Sequence, residues 1–226
     1  MAACAATCSL AACADATGGS GQGRYRPSSD GTASSAPSSA AGSAVPSSSS
    51  ATRSKPAGKH AVPSHPVRTK TVVTHSGTSY VIKVWAEQKG VTDCAAHAYG
   101  APVIKYLRKH PCFGLDRVLA TTIVDGRAVG IAQRSIGFRG GMSQGYSAAG
   151  GFAKLVSKNG TGNLDDLMRD GYRLPDGPKS VPFPNAFSAL GQDNNVTVVE
   201  AWYLKGKTAD NDPALEKMCR DIFLQY

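Results

Sequence analysis

Hydrophobic and polar positions alternate with recognisable periods only in the C-terminal two thirds of the chain. Val72-Val73-Thr74-His75 and Tyr80-Val81-Ile82-Lys83-Val84-Trp85 are β-branched and aromatic runs parted by Ser76-Gly77-Thr78, a pattern that predicts a hairpin. Residues 117–124 and 127–138 flank Asp125-Gly126, a pair suited to the two positive-φ positions of a type I′ turn, and predict a second hairpin. Its first arm, Val118 to Val124, is apolar enough for a central strand. Between the hairpins, Asp93 is placed to cap a helix running to about Lys109, with Val103, Ile104 and Leu107 on the buried stripe. Pro102 leaves two alternatives, one kinked helix or a short turn followed by a helix starting at Pro102.

Beyond the second hairpin, residues 140–151 contain five glycines and read as a mobile segment leading into a short helix around Phe152-Ala153-Lys154-Leu155-Val156. Asn163 is expected to cap a helix over 164–169, with Asp165 and Asp166 in its first turn. The Pro, Gly and Asn density of residues 174–195 marks a long loop, and residues 196–204 a strand. Asp212-Pro213 opens a final helix with Leu215, Met218, Cys219, Ile222 and Phe223 on one face. This order predicts one α+β domain over residues 71–226. It would hold a mostly antiparallel sheet with helices packed on one face, and a ferredoxin-like split βαβ arrangement is the topology it brings to mind.

The remainder of the chain cannot form a core. Of the 53 positions in 14–66, 40 are Ala, Gly, Ser, Thr or Pro and none is Leu, Ile, Phe, Trp or Met. Such a stretch buries too little apolar surface to offset its ordering entropy, so residues 14–70 are expected to be a disordered linker. The N-terminal part also carries more than half of the net charge of +9. Residues 1–70 hold seven Lys and Arg against two acids, a balance of +5, and residues 71–226 hold 18 against 14, a balance of +4. A basic tail attracts anionic envelope polymers or lipid head groups, and another envelope protein is the alternative partner. The folded part shows no Lys/Arg cluster interleaved with aromatics, so no nucleic acid partner is expected. No run approaches the roughly 18 apolar residues a membrane-spanning helix needs.

Residues 1–13 change the reading of the whole. Ser9-Leu10-Ala11-Ala12-Cys13 resembles the lipobox of bacterial lipoproteins, in which Leu and two small residues precede a Cys that receives a diacylglyceryl group and becomes the new N-terminus. The resemblance implies lipidation at Cys13, a membrane partner reached through that anchor, and an extracytoplasmic domain on a tether. Met1 to Ala12 lacks Lys and Arg, so the leader is read as the truncated end of a signal peptide. The folded part resembles uncharacterised exported domains of high-GC bacteria. The alternative is a cytosolic protein with a disordered basic leader, its thiols all reduced.

Three cysteines fall in the domain. A continuous helix between Cys94 and Cys112 would separate them by about 27 Å, whereas a disulfide spans Cα atoms no more than about 7 Å apart. Pairing those two therefore requires the chain to bend back near Gly100-Ala101-Pro102. Cys112 with Cys219 requires only that the last helix packs beside the end of the first. We expect Cys112–Cys219, with Cys112–Cys94 as the alternative.

Thr92-Asp93-Cys94 before a helix is similar to papain-like, NlpC/P60-like and transglutaminase-like cores, where the nucleophilic Cys sits at a helix N-terminus. That resemblance implies a thiol hydrolase or acyltransferase using Cys94. Those families carry a general-base His on a later strand, and no His follows His110. His97, one turn beyond Cys94, and His75 are then the bases within conceivable reach. Cys94 with His97 offers only two soft ligands, so neither a metal nor another cofactor is expected. Asp165-Asp166 reads as a helix start rather than an acid–base pair. Trp85, Trp202 and Tyr203 read as core or sheet-face residues, with Tyr203 facing solvent if it alternates with Trp202. The incomplete catalytic set favours a binding or structural module at the cell surface over an enzyme. Residues 140–151 and 174–195 are the loops expected to carry binding.

Overall fold

The computed structural model describes residues 60–74 and 76–222. Cys13, the leader, most of the linker, His75 and Phe223 lie outside the described residues. The chain divides into two units, 1–51 and 52–226, and every described residue belongs to the second.

Six strands form one sheet: β1 (Arg68–Val73), β2 (Ser79–Val91), β4 (Cys112–Val124), β5 (Arg127–Phe138), β8 (Asn195–Tyr203) and β7 (Ala186–Gln192), in that spatial order. Every pairing in it is antiparallel. The split βαβ topology is therefore not adopted, since it requires a parallel pair joined by a crossover. Both predicted hairpins form. At the β4–β5 turn Asp125 and Gly126 have φ of 50° and 73°, the type I′ geometry whose twist matches the flanking strands. Strand β1 starts at Arg68, within the stretch read as linker.

A second, two-stranded ribbon pairs β3 (Ala98–Tyr99) with β6 (Asn163–Leu164). Here a two-residue strand followed by a turn replaces the expected helix over 164–169. Gly100 (φ 85°) and Gly162 (φ 103°) face one another across this ribbon so closely that a Cβ on either would overlap the other segment's backbone. That approach is open to glycine alone.

Among the described residues, three α-helices accompany the strands: α1 (Ala101–Lys109), α2 (Met142–Val156) and α3 (Pro213–Asp221). The start of α1 settles the alternatives left by Pro102. A 3₁₀ turn over Cys94–His97, capped by Asp93, precedes β3, and the chain turns at Gly100 into a helix with Pro in its first turn. The helix α2 corrects the mobile glycine segment. Gly151 lies where a Cβ would strike the Tyr106 hydroxyl, and that hydroxyl donates to the Ala148 carbonyl at 2.8 Å. Gly151 thus serves close packing against α1, and Gly145 lies similarly close to the Asn194 side chain. Strand β7 likewise corrects the long loop, which ends at Asn185.

The helices divide between the two faces instead of sharing one. Along β8, Val199, Ala201 and Tyr203 pack with Leu215, Met218, Cys219 and Ile222 from α3 and its C-terminal end. Val196 and Val198 pack with Val103, Leu107, Ala149 and Phe152 of α1 and α2. Successive residues of a strand point to opposite faces, so the two clusters lie on opposite sides of the sheet. Trp202 and Tyr203 are consequently both buried, and the expected exposure of Tyr203 is not found. No described helix is long and apolar enough to cross a membrane.

Candidate functional site

The face of the sheet that carries α1 and α2 also carries charge. Arg117 and Arg134 are direct cross-strand partners on β4 and β5, and both are fully buried. A buried guanidinium without a partner costs several kcal/mol, and each of these has its own set of acceptors. Arg117 donates from Nε to Gln88 Oε1 at 3.0 Å and pairs with Asp170 at 2.5 Å. Arg134 pairs with Glu200 and lies 3.7 Å from Asp166 Oδ2. Burial alone would push Arg134 toward neutrality, but the Glu200 and Asp166 carboxylates more than offset it and raise its pKa.

Sheet register and one turn assemble this group. Glu200 stands opposite Ala132 on β8, two residues along from Arg134's own partner Val198. It is therefore a diagonal neighbour of Arg134, within reach of a long side chain. Asp166 comes from the turn after β6. Its Oδ1 accepts from the backbone N–H of Met168 at 2.8 Å and of Arg169 at 3.1 Å, which fixes the carboxylate and leaves Oδ2 to Arg134 and to Arg169 Nε at 3.6 Å. Asp165 Oδ1 also lies 3.7 Å from Arg169 Nε, yet burial outweighs that cation and raises the Asp165 pKa. The Arg169 guanidinium lies 3.7 Å from the centre of the Tyr99 ring, a cation–π arrangement. Burial, followed by the charge of Glu200, raises the Tyr99 phenol pKa.

These groups border an open cavity of about 360 Å³, within the range of small-ligand sites. Tyr99, Asp166, Arg169 and Glu200 form its charged and aromatic side, and residues 180–183 with Asn185 form the other. Asn185 Nδ2 donates to Glu200 Oε1 at 3.3 Å. Phe183, on the rim, is 93% exposed. A larger hollow of about 510 Å³ near the β7–β8 turn has Gln192, Asp193, Asn195 and Thr197 in its wall but no buried charge.

The cysteines and His97 singled out in the sequence do not border this cavity. Cys94 is bonded to Cys112 with Cα atoms 6.3 Å apart, and Cys219 is a free, buried thiol. This corrects the favoured Cys112–Cys219 pairing to its alternative. The bend at Gly100 brings Cys94 back to the start of β4, while α3 lies across the opposite face of the sheet from α1. With its sulfur in that bond and only 2% of the residue exposed, Cys94 offers no thiolate for catalysis, so the Cys94–His97 pair does not supply a nucleophile and its base. Of the two candidate loops, 174–195 does contribute to the cavity, whereas 140–151 is largely helical. The signal that sequence reading passed over was a charge inside an apolar strand. Glu200 interrupts Val198-Val199 and Ala201-Trp202, and Arg134 falls in a run of otherwise buried positions. Comparison with protein families, curated proteins and solved structures finds no match to this chain.

Proposed function

We propose that the chain is an extracytoplasmic binding module, held at a membrane by lipidation of Cys13, with the Tyr99–Asp166–Arg169–Glu200 cavity as its ligand site. The observation that carries the binding half is the buried Arg134 holding two carboxylates at the wall of an open cavity. Buried charge of this kind is a costly way to stabilise a fold but an effective way to fix polar groups for recognition. The Cys94–Cys112 bond supports the compartment, since disulfides persist in oxidising surroundings. The Leu10-Ala11-Ala12-Cys13 resemblance supports the anchor. Several acyl chains on one residue, at about 0.8 kcal/mol per buried methylene, would hold the protein at a bilayer. The basic N-terminal region then lies near anionic envelope polymers, which are its proposed secondary partners.

Metabolic labelling with palmitate tests the anchor. The wild-type chain is expected to carry label and to fractionate with membranes, and Cys13→Ala to lose both. Unlabelled wild type recovered from the cytosol with Cys94 reduced would refute the surface assignment.

A further inference from the structure

We propose that the cavity takes a neutral saccharide unit; this rests on the reading of the cavity as a ligand site and adds the class of ligand. Three features converge on it.

The first is charge. The carboxylates of Asp166 and Glu200 already face Arg134, and Arg169 already faces Asp165 and Asp166. Each charge at the cavity thus already has an oppositely charged neighbour, so none of them stands alone to call for a ligand of opposite charge. A neutral ligand displaces nothing.

The second is hydrogen-bonding capacity. A paired carboxylate keeps unused lone pairs, because each of its oxygens can accept more than one hydrogen bond. Among the described residues, the Tyr99 hydroxyl, the Ser180 hydroxyl and Asn185 Oδ1 have no protein partner, although all three residues border the cavity. Residues carrying acceptors and hydroxyls therefore border one space in mixed order. A ring of vicinal hydroxyls, each both donor and acceptor, matches such an array. An amine, which only donates, or a phosphate, which mainly accepts, does not.

The third is the Phe183 ring on the rim, 93% exposed. Saccharide rings combine an apolar C–H face with a polar edge, so one ring can cover Phe183 while its hydroxyls reach Glu200 and Asn185. Burying an aromatic face removes apolar area from water at about 25 cal/mol per Å². The cavity volume of about 360 Å³ lies at the small end of ligand sites, a fit for one or two sugar rings.

The test uses the full chain, purified with its disulfide intact, on an array of neutral mono- and oligosaccharides. Hits are titrated by calorimetry beside three charged probes: lysine, glucuronate and inorganic phosphate. At least one neutral saccharide is expected to bind with one-to-one stoichiometry. Phe183→Ala should weaken it at least tenfold without changing Tm, because a ring already in water contributes little to folding. Asn185→Ala should weaken it by a similar factor. Retention of a charged probe alone, weakened by the same substitutions, would overturn the saccharide assignment and leave the cavity as a ligand site. Binding of a saccharide unaffected by both substitutions would overturn the assignment to this cavity. Failure of every neutral and charged probe would overturn the saccharide proposal and remove the support for the ligand site beneath it.

Discussion

At the scale of single residues, Arg134 is the group on which the site depends. It satisfies Glu200 and stands close to Asp166, so removing it leaves two acids facing a poorly solvated space. Arg134→Met is expected to destabilise the domain by about 3–5 kcal/mol, read by urea unfolding. Adding Glu200→Gln and Asp166→Asn to that variant should restore part of the loss, because the penalty comes from uncompensated charge rather than from lost packing. A full loss that persisted in the triple variant would show that Arg134 acts through shape.

Asp165 gives a pH prediction of definite sign. Its carboxyl pKa is raised above the ordinary 3.8, chiefly by burial, so the folded state holds that proton more tightly than the unfolded chain does. The contribution favours folding below about pH 4 and is lost as pH rises through the raised folded value. Wild-type stability relative to Asp165→Asn should therefore fall across that interval. Urea midpoints measured from pH 3 to pH 7 check it, and a difference that grew with pH would have the wrong sign.

At the scale of elements, the hairpins and the last helix were legible because their signals are local. Asp125-Gly126 needs only its own two residues to specify a turn, and Asp212 caps α3 by accepting from the N–H groups of Ala214 and Leu215. The failures have a common cause in contacts distant along the chain. Residues 140–151 read as a loose glycine segment until Tyr106 of α1 is seen to occupy the space beside Gly151. The β3–β6 ribbon is four residues in all, too short to leave any period, and depends on Gly100 meeting Gly162. The cavity was hidden for the same reason. Tyr99, Asp166 and Glu200 are separated along the sequence, and only strand register brings Arg134 beside Glu200.

Cys219 shows how position within an element governs chemistry. It lies on the buried side of α3, and burial pushes its thiol pKa up to about 12. Under native conditions it should resist alkylating reagents through pH 9, then react after unfolding in denaturant without reductant. Rapid native labelling at Cys219 would contradict the packing of α3 on the sheet.

At the scale of the whole molecule, helices pack on both faces of the sheet, and a cross-link joins the 3₁₀ turn to the start of β4. The two cysteines are 18 residues apart, and closing a loop of that size is worth about 3 kcal/mol in the chain-entropy account. Cys94→Ser together with Cys112→Ser should lower the unfolding free energy by roughly that amount. Reduction of the wild type should reproduce the same shift, and an unchanged urea midpoint after verified reduction would exclude the bond as a structural support.

The span tied off by that bond contains α1 and, just before it, Tyr99, whose ring borders the cavity beneath Arg169. The covalent knot thus acts as a drawstring on one wall of the binding hollow. In a reducing milieu the drawstring slackens, and the wall bearing Tyr99 loses its tether while Arg134 and Glu200 stay clamped between strands. On the proposed extracytoplasmic reading, forming the Cys94–Cys112 bond after export would be the event that fixes this wall of the cavity.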